Sequence, residues 1–317
     1  MYLTAEQLTE RLGWPELIQA LQKIFTTDVH SPVRHHHFID VPNTKQATLL
    51  LMPAWIEGKY LGVKQVSVFP GNNEKGKPGL TSLYTLSSGE TGETLAQMDG
   101  NIITARRTAA ASALASSHLS HQNSDSLLMI GAGRMGRYLV PAHMSVRPIK
   151  TLWIWDRNPF AASQFAKELK EQGYDAQAIT EQELPNIASQ ASIISCATLA
   201  TEPVLKGEWL SPGTHVDLVG SFTPSMREAD NAVLQKANVF VDTRAGALAE
   251  TGDLIIPINE GAFQAEAIIA ELTELCSLQH KGRQALANTE DAITVFKSVG
   301  DSREDLAAAI LAFEASC

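Results

Sequence analysis

Cysteine is scarce. Only Cys196, Cys276 and Cys317 occur in 317 residues, and none is spaced as Cys-x-x-Cys. That excludes a disulfide framework and a thiolate zinc clamp, and it suits a reducing, cytoplasmic setting. No apolar run reaches the roughly 18 residues that a membrane-spanning helix needs. Residues 1–14, MYLTAEQLTERLGW, lack a basic segment followed by an apolar one, so no secretory signal is expected there. Positive charge is also short, with 25 Lys and Arg against 35 Asp and Glu and a net charge of −10. A chain this acidic is a poor candidate for binding nucleic acid or an anionic membrane. Apolar residues are plentiful, at 44% against 19% charged, which excludes a disordered chain. At about 150 residues per domain, the length predicts two domains.

The first 25 residues read as helical. Thr4-Ala-Glu-Gln7 fits a capping box, and Pro15 suits the first turn of a second helix. The period then falls to two, predicting strands at 33–41, 48–54, 60–69, 80–86 and 94–98, punctuated by turns at 42–43, 70–73 and 88–89. Consecutive strands with short links predict an antiparallel or mixed sheet. An Ala/Ser-rich helix follows over 102–119. Beyond it, strands (126–130, 151–155, 191–196, 214–219, 238–241) alternate with helices (133–146, 159–172), the pattern of a parallel sheet covered by helices. From about 263 the chain reads as mainly helical, with one apolar run at 292–297 before a last helix over 303–314.

The most informative motif is Leu127-Leu-Met-Ile-Gly131-Ala-Gly133-Arg134-Met135-Gly136, a GxGxxG pattern between an apolar strand and a helix. Gly131 permits a tight turn, Gly133 lets the backbone approach a pyrophosphate, and Gly136 allows close helix–strand packing. The helix N-terminus then supplies N–H donors to the anion. Asp156 ends the next strand, 20 residues on, where an acid would bind a ribose 2′-hydroxyl. Asp156 favours NADH, whereas Arg157 and Asn158 beside it suit the 2′-phosphate of NADPH; the choice stays open. Residues 156–159 also read simply as a helix cap.

Lys64 shares a strand face with Tyr60, Val66 and Val68. Desolvation there would lower its pKa and permit proton transfer near neutrality, unless the side chain snorkels from a strand edge. Arg106 and Arg107 oppose the dipole at the start of the alanine-rich helix, so they read either as an anion site or as two exposed cations. Arg34 precedes His35-His36-His37, which alternate faces on a strand; solvated or packed histidines are expected, and no metal. Cys196 reads as packed rather than reactive.

Taken together, several segments resemble the ornithine cyclodeaminase/mu-crystallin family. They are Met52-Pro53, Gly62-Val-Lys64 with Pro70-Gly71-Asn72, Arg107-Thr108-Ala109-Ala110, the glycine loop, Val219-Gly220 through Pro224-Ser-Met-Arg227-Glu228, and Lys297-Ser298-Val299-Gly300 before Glu304-Asp305-Leu306. The resemblance implies an α/β protein: a Rossmann, doubly wound parallel sheet plus an α+β substrate and dimerisation domain with a mixed sheet. The substrate domain would be residues 1–120, completed by about 290–317, and the dinucleotide domain 121–289, in a homodimer. It implies NADH or NADPH as cofactor and a small imino or amino acid as partner. By position, Arg34, Lys64, Arg107 and Met52 match substrate-binding residues, with Lys64 the catalytic proton handler. Thr108, Gly131, Gly133, Arg134, Met135, Gly136, Asp156, Arg157, Asn158, Cys196, Ala197, Thr198, Val219, Gly220, Ser298, Val299 and Gly300 match the dinucleotide-lining segments.

Two departures narrow the chemistry. Ornithine cyclodeaminases carry an aspartate where Phe222 stands and a glutamate where Leu50 stands. A substrate ammonium there would lose charge-assisted bonds worth roughly 1.5–3 kcal/mol each. The resemblance therefore points to reductases of cyclic ketimines such as Δ1-pyrroline-2-carboxylate and Δ1-piperideine-2-carboxylate, giving L-proline or L-pipecolate. Ornithine cyclodeaminase, an alanine-dehydrogenase-like enzyme and a crystallin-like binder of NAD(P)H are the rival readings.

Overall fold

The computed structural model describes residues 1–315, excluding the side chains of 73 and 74; Cys317 lies outside the described residues. The chain forms two compact units. One comprises Met1–Thr108 and the stretch from Asp301 onward, the other Ala109–Gly300.

In the first unit, six strands make a mixed sheet: β1 (Tyr2–Leu3), β2 (His35–Ile39), β3 (Ala47–Ile56), β4 (Tyr60–Val68), β5 (Leu80–Ser88) and β6 (Thr94–Asp99). Their order is β1-β6-β5-β4-β3-β2, with β1 parallel to β6 and every other pair antiparallel. The Thr4–Gln7 capping box closes on the helix Ala5–Arg11. Pro15 lies in the first turn of the helix Trp14–Ile24, which buries Leu17, Leu21 and Ile24 along one stripe. The last helix, Ser302–Glu314, packs against β3, β4, β5 and the helix Trp14–Ile24.

In the second unit, eight strands run parallel: β7 (Ser126–Ile130), β8 (Thr151–Trp155), β9 (Asp175–Ala178), β10 (Ile193–Cys196), β11 (His215–Leu218), β12 (Asn238–Val241), β13 (Ile268–Glu271) and β14 (Thr294–Lys297). The order β13-β12-β14-β11-β10-β7-β8-β9 reverses direction between β7 and β10. All five residues of β7 are buried, and the four from Leu127 to Ile130 are the apolar run expected of a strand covered on both faces. Each large apolar side chain buried there contributes about 1.5–3 kcal/mol.

Several expectations need correction. The boundary falls after Thr108 rather than near 120, within the helix Gly100–Leu119. The C-terminal stretch rejoins the first unit at Asp301, not about 290. Residues 294–297 pair centrally between β11 and β12, which keeps them in the parallel sheet. The region after 263 is not mainly helical, because Ile268–Glu271 forms the edge strand β13. Strands β1 and β9 went unpredicted: one has two residues, the other reads DAQA, and neither carries a β-branched residue. The helix after the glycine loop starts at Gly136 rather than Gly133.

Candidate active site

In the first unit, period two on the central strand β4 turns Gly62, Lys64 and Val66 to the buried face. Lys64 pairs in register with Met52 on β3 and Tyr84 on β5, both buried. The lysine is only 2% exposed, so it does not snorkel. Its counter-charge comes from the last helix. Asp305 Oδ1 and Oδ2 lie 2.9 and 2.7 Å from Lys64 Nζ. Arg107 joins the same cluster, its Nε donating to Asp305 Oδ1 at 2.8 Å and its Nη1 to Glu304 Oε2 at 2.7 Å.

This arrangement fixes the protonation states. Burial pulls the Lys64 ammonium down to about 8; Asp305 resists the fall, while Arg107 and Arg34 add to it. Burial also works against the charge on Arg107, but Asp305 and Glu304 outweigh it and hold the guanidinium above the ordinary arginine value. Burial would raise the Asp305 carboxyl, yet Lys64 and Arg107 keep it below the usual aspartate range. Lys64 thus titrates just above neutrality, beside a guanidinium that stays charged.

The two adjacent arginines separate. Arg107 enters the cluster, whereas Arg106 donates from Nε to the Leu12 carbonyl at 2.8 Å and lies 4.4 Å over the Trp14 ring. Neither is an exposed surface cation. Arg34 is half-buried ahead of β2 and acts electrostatically on Lys64, while His35, His36 and His37 are exposed. Thr108, one residue beyond Arg107 on the same helix, is half-buried.

In the second unit, the candidate cofactor residues gather at the C-terminal ends of parallel strands. Residues 131–136 follow β7, 156–158 follow β8, 196–198 end β10, 219–220 follow β11 and 298–300 follow β14. In open parallel sheets the crevice beyond these ends, where strand order reverses, is where ligands bind. The glycines do different jobs. Gly131 has φ +113°, and a Cβ there would lie 2.5 Å from the Ala197 carbonyl oxygen. At Gly136 a Cβ would strike the Gly131 carbonyl oxygen. At Gly133 a Cβ would meet no protein atom, so the backbone lies open to a ligand. This cradle fits a pyrophosphate, with Gly131, Gly133, Arg134, Met135 and Gly136 around it.

Asp156 takes Ala132 N–H on Oδ2 and Asn158 N–H on Oδ1, each at 2.8 Å, and Asn158 caps the next helix. The acid therefore braces the glycine loop. Arg134 and Arg157 are exposed. Cys196 turns its side chain into the core, where burial pushes the thiol well above its usual range.

The acids Glu304 and Asp305 escaped sequence reasoning as site residues. Both sit in the first turn of a helix, where carboxylates are ordinary, and only the packing of that helix on β4 shows their role.

A family model described as ornithine cyclodeaminase/mu-crystallin matches residues 1–316. An uncharacterized protein of Schizosaccharomyces pombe is 53% identical over 99% of this chain and 96% of its own length. The Δ1-pyrroline-2-carboxylate reductase of Colwellia psychrerythraea is 37% identical over 97% of this chain and 96% of its own. Among solved structures, the Δ1-pyrroline-2-carboxylate reductase of Thermococcus litoralis, in complex with NADH and L-proline, superposes with a TM-score of 0.89 at 34% identity, covering 99% of this chain and 96% of that one.

Proposed function

The chain belongs to the ornithine cyclodeaminase/mu-crystallin family, and we propose that it is an NAD(P)H-dependent reductase of cyclic imino acids. It converts Δ1-pyrroline-2-carboxylate to L-proline, and Δ1-piperideine-2-carboxylate to L-pipecolate. The observation that carries this reading is the buried Lys64–Asp305–Arg107 cluster, in a chain that matches reductases of that imine along nearly its whole length.

The substrate carboxylate is held by Arg107 and Arg34, assisted by Lys64, in charge-assisted bonds. Lys64 keeps the ring nitrogen protonated, which makes the C=N carbon electrophilic. Asp305 keeps Lys64 charged and aimed. A reduced nicotinamide, when bound, supplies the hydride. The second unit's loops hold the dinucleotide: the glycine loop takes the pyrophosphate, Asp156 the adenosine ribose, and Thr198, Val219, Gly220 and the 298–300 turn the remainder. Asp156 supports NADH, and the exposed Arg134 and Arg157 suit the 2′-phosphate of NADPH, so the cofactor is NADH or NADPH.

Leu50 and Phe222 offer no carboxylate for a distal amine, which weighs against ornithine as substrate. Among the described residues, no helix is long and apolar enough to cross a membrane. A cytoplasmic location is supported by two buried free thiols, Cys196 and Cys276. A homodimer is supported by exposed Val33, Phe38 and Ile39 along the sheet-edge strand β2 and the segment leading to it.

Lys64→Ala tests the mechanism. It should lower kcat by about 100- to 10,000-fold while leaving cofactor affinity within about twofold of wild type. Near-normal turnover would remove Lys64 from the proton-handling role.

A further inference from the structure

The second unit contains a buried ionic node that the reduction chemistry does not use. Glu228 is fully buried, and its carboxylate collects three donors. Thr198 N–H and Thr198 Oγ1 reach Oε1 at 2.7 and 2.8 Å, and Gly220 N–H reaches Oε2 at 2.6 Å. One carboxylate thus ties the segment after β10 to the segment after β11. The node extends further. Glu228 N–H donates to Asp253 Oδ1 at 2.7 Å, and Asp253 Oδ2 lies 3.3 Å from Lys297 Nζ. Lys297 Nζ also donates to the Leu218 carbonyl at 3.0 Å, just before Val219-Gly220. Lys297 in turn precedes the 298–300 turn, whose Val299 and Gly300 N–H groups are held by Asp242 at 2.7 and 2.6 Å. The close approach is built in, because a Cβ at Gly220 would lie 2.5 Å from Glu228 Oε1.

We infer that Glu228 is a positioning residue for the dinucleotide: its ionised carboxylate locks the 198 and 220 segments in the geometry that receives the cofactor, with Asp253 and Lys297 as its supports. The inference rests on the reading of these segments as the cofactor site. Glu228 touches neither substrate nor cofactor in this scheme and acts only through the segments it holds.

Only the carboxylate can accept from three donors at once. A protonated acid, or an amide, turns one of its heavy atoms into a donor facing the Thr198 or Gly220 donors. The titratable and charged groups acting around Glu228 are Asp253, Lys297 and the Cys196 thiol. Burial, then Asp253, push the Glu228 carboxyl up to about 7, while Lys297 and the Thr198 donors oppose the shift. Burial and Asp253 thus bring protonation of Glu228 toward the neutral range, so cofactor affinity should fall as pH drops.

The test is NADH binding, followed by nucleotide fluorescence between about pH 6 and 8.5, with imine reduction measured alongside. Wild type should bind NADH more weakly at the acid end. Glu228→Gln should weaken binding about tenfold or more at pH 8, flatten the pH dependence, and leave the imine KM at saturating NADH within about twofold. Thr198→Val removes one donor at constant volume and should give a smaller loss. Far-UV circular dichroism reports whether each variant is folded. If Glu228→Gln does not fold, the wild-type pH profile and Thr198→Val decide. A flat profile with unweakened Thr198→Val binding overturns the inference, as does wild-type-like binding by a folded Glu228→Gln. If wild type binds neither NADH nor NADPH, the cofactor reading itself fails, a result distinct from equal binding by wild type and variant.

Discussion

Replacing Asp305 by Asn would expose how much of the substrate site depends on one carboxylate. Asp305 Oδ1 accepts from both Lys64 Nζ and Arg107 Nε, and its Oδ2 lies 2.7 Å from the same ammonium, all with the side chain excluded from solvent. Asparagine keeps the shape but offers one acceptor and turns an NH2 toward a cation. Breaking one side of a buried ion pair costs about 3–5 kcal/mol, because the remaining charges stay desolvated. The larger consequence is for Lys64. Its ammonium sits at about 8 because Asp305 opposes burial. A single nearby carboxylate is worth about 1–3 pKa units, so the variant lysine titrates below neutrality. The protonated form is the donor, so wild-type kcat/KM for the imine should be level below pH 8 and fall above it. In Asp305→Asn the same descending limb should move to lower pH by about 1–3 units. The assay is kcat/KM against pH at saturating NADH, since that ratio reports the free enzyme. A limb at the same pH in both proteins would refute the assignment of Lys64 as the donor set by Asp305.

Other substitutions separate the two half-sites. Arg107→Lys keeps the charge but loses the two-pronged contact to Glu304 and Asp305, so the imine KM should rise about tenfold or more while cofactor KM stays put, as steady-state kinetics would show. Gly131→Ala forces a side chain into φ +113° and against the Ala197 carbonyl, so thermal denaturation should show a clear loss of stability. Gly133→Ala meets no protein atom and should leave the melting temperature unchanged, yet titration should show weaker NADH binding because the methyl occupies the pyrophosphate's approach. Asp156→Asn removes the negative charge at the ribose and should move the NADPH/NADH ratio of kcat/KM about tenfold toward NADPH.

Much of this architecture was legible from local rules. The capping box at Thr4, the glycine loop and the alternation of β4 each report a short-range constraint, and each lies where its pattern predicts. What local rules could not supply was the pairing of distant residues. Lys64 meets Asp305 across 241 positions, and Arg107 meets Glu304 across 197. Nothing near Lys64 in sequence announces its partner, so from local rules alone a lysine snorkelling from a strand edge is the favoured expectation, which its burial overturns. Glu228 shows the same limit: in the sequence it only closes the 219–228 segment, and the approach of the β10 and β11 ends reveals three donors converging on it. The missed strands β1 and β9 are short and at sheet edges, where tertiary pairing outweighs propensity.

Imine reduction itself is the most direct measurement. Purified protein, Δ1-pyrroline-2-carboxylate and NADH or NADPH should give oxidised cofactor and L-proline in equal amounts, with chiral chromatography identifying the product. Cofactor binding without imine consumption would contradict the proposed function, and ornithine converted to proline and ammonia with no net cofactor oxidation would place the protein with the cyclodeaminases instead.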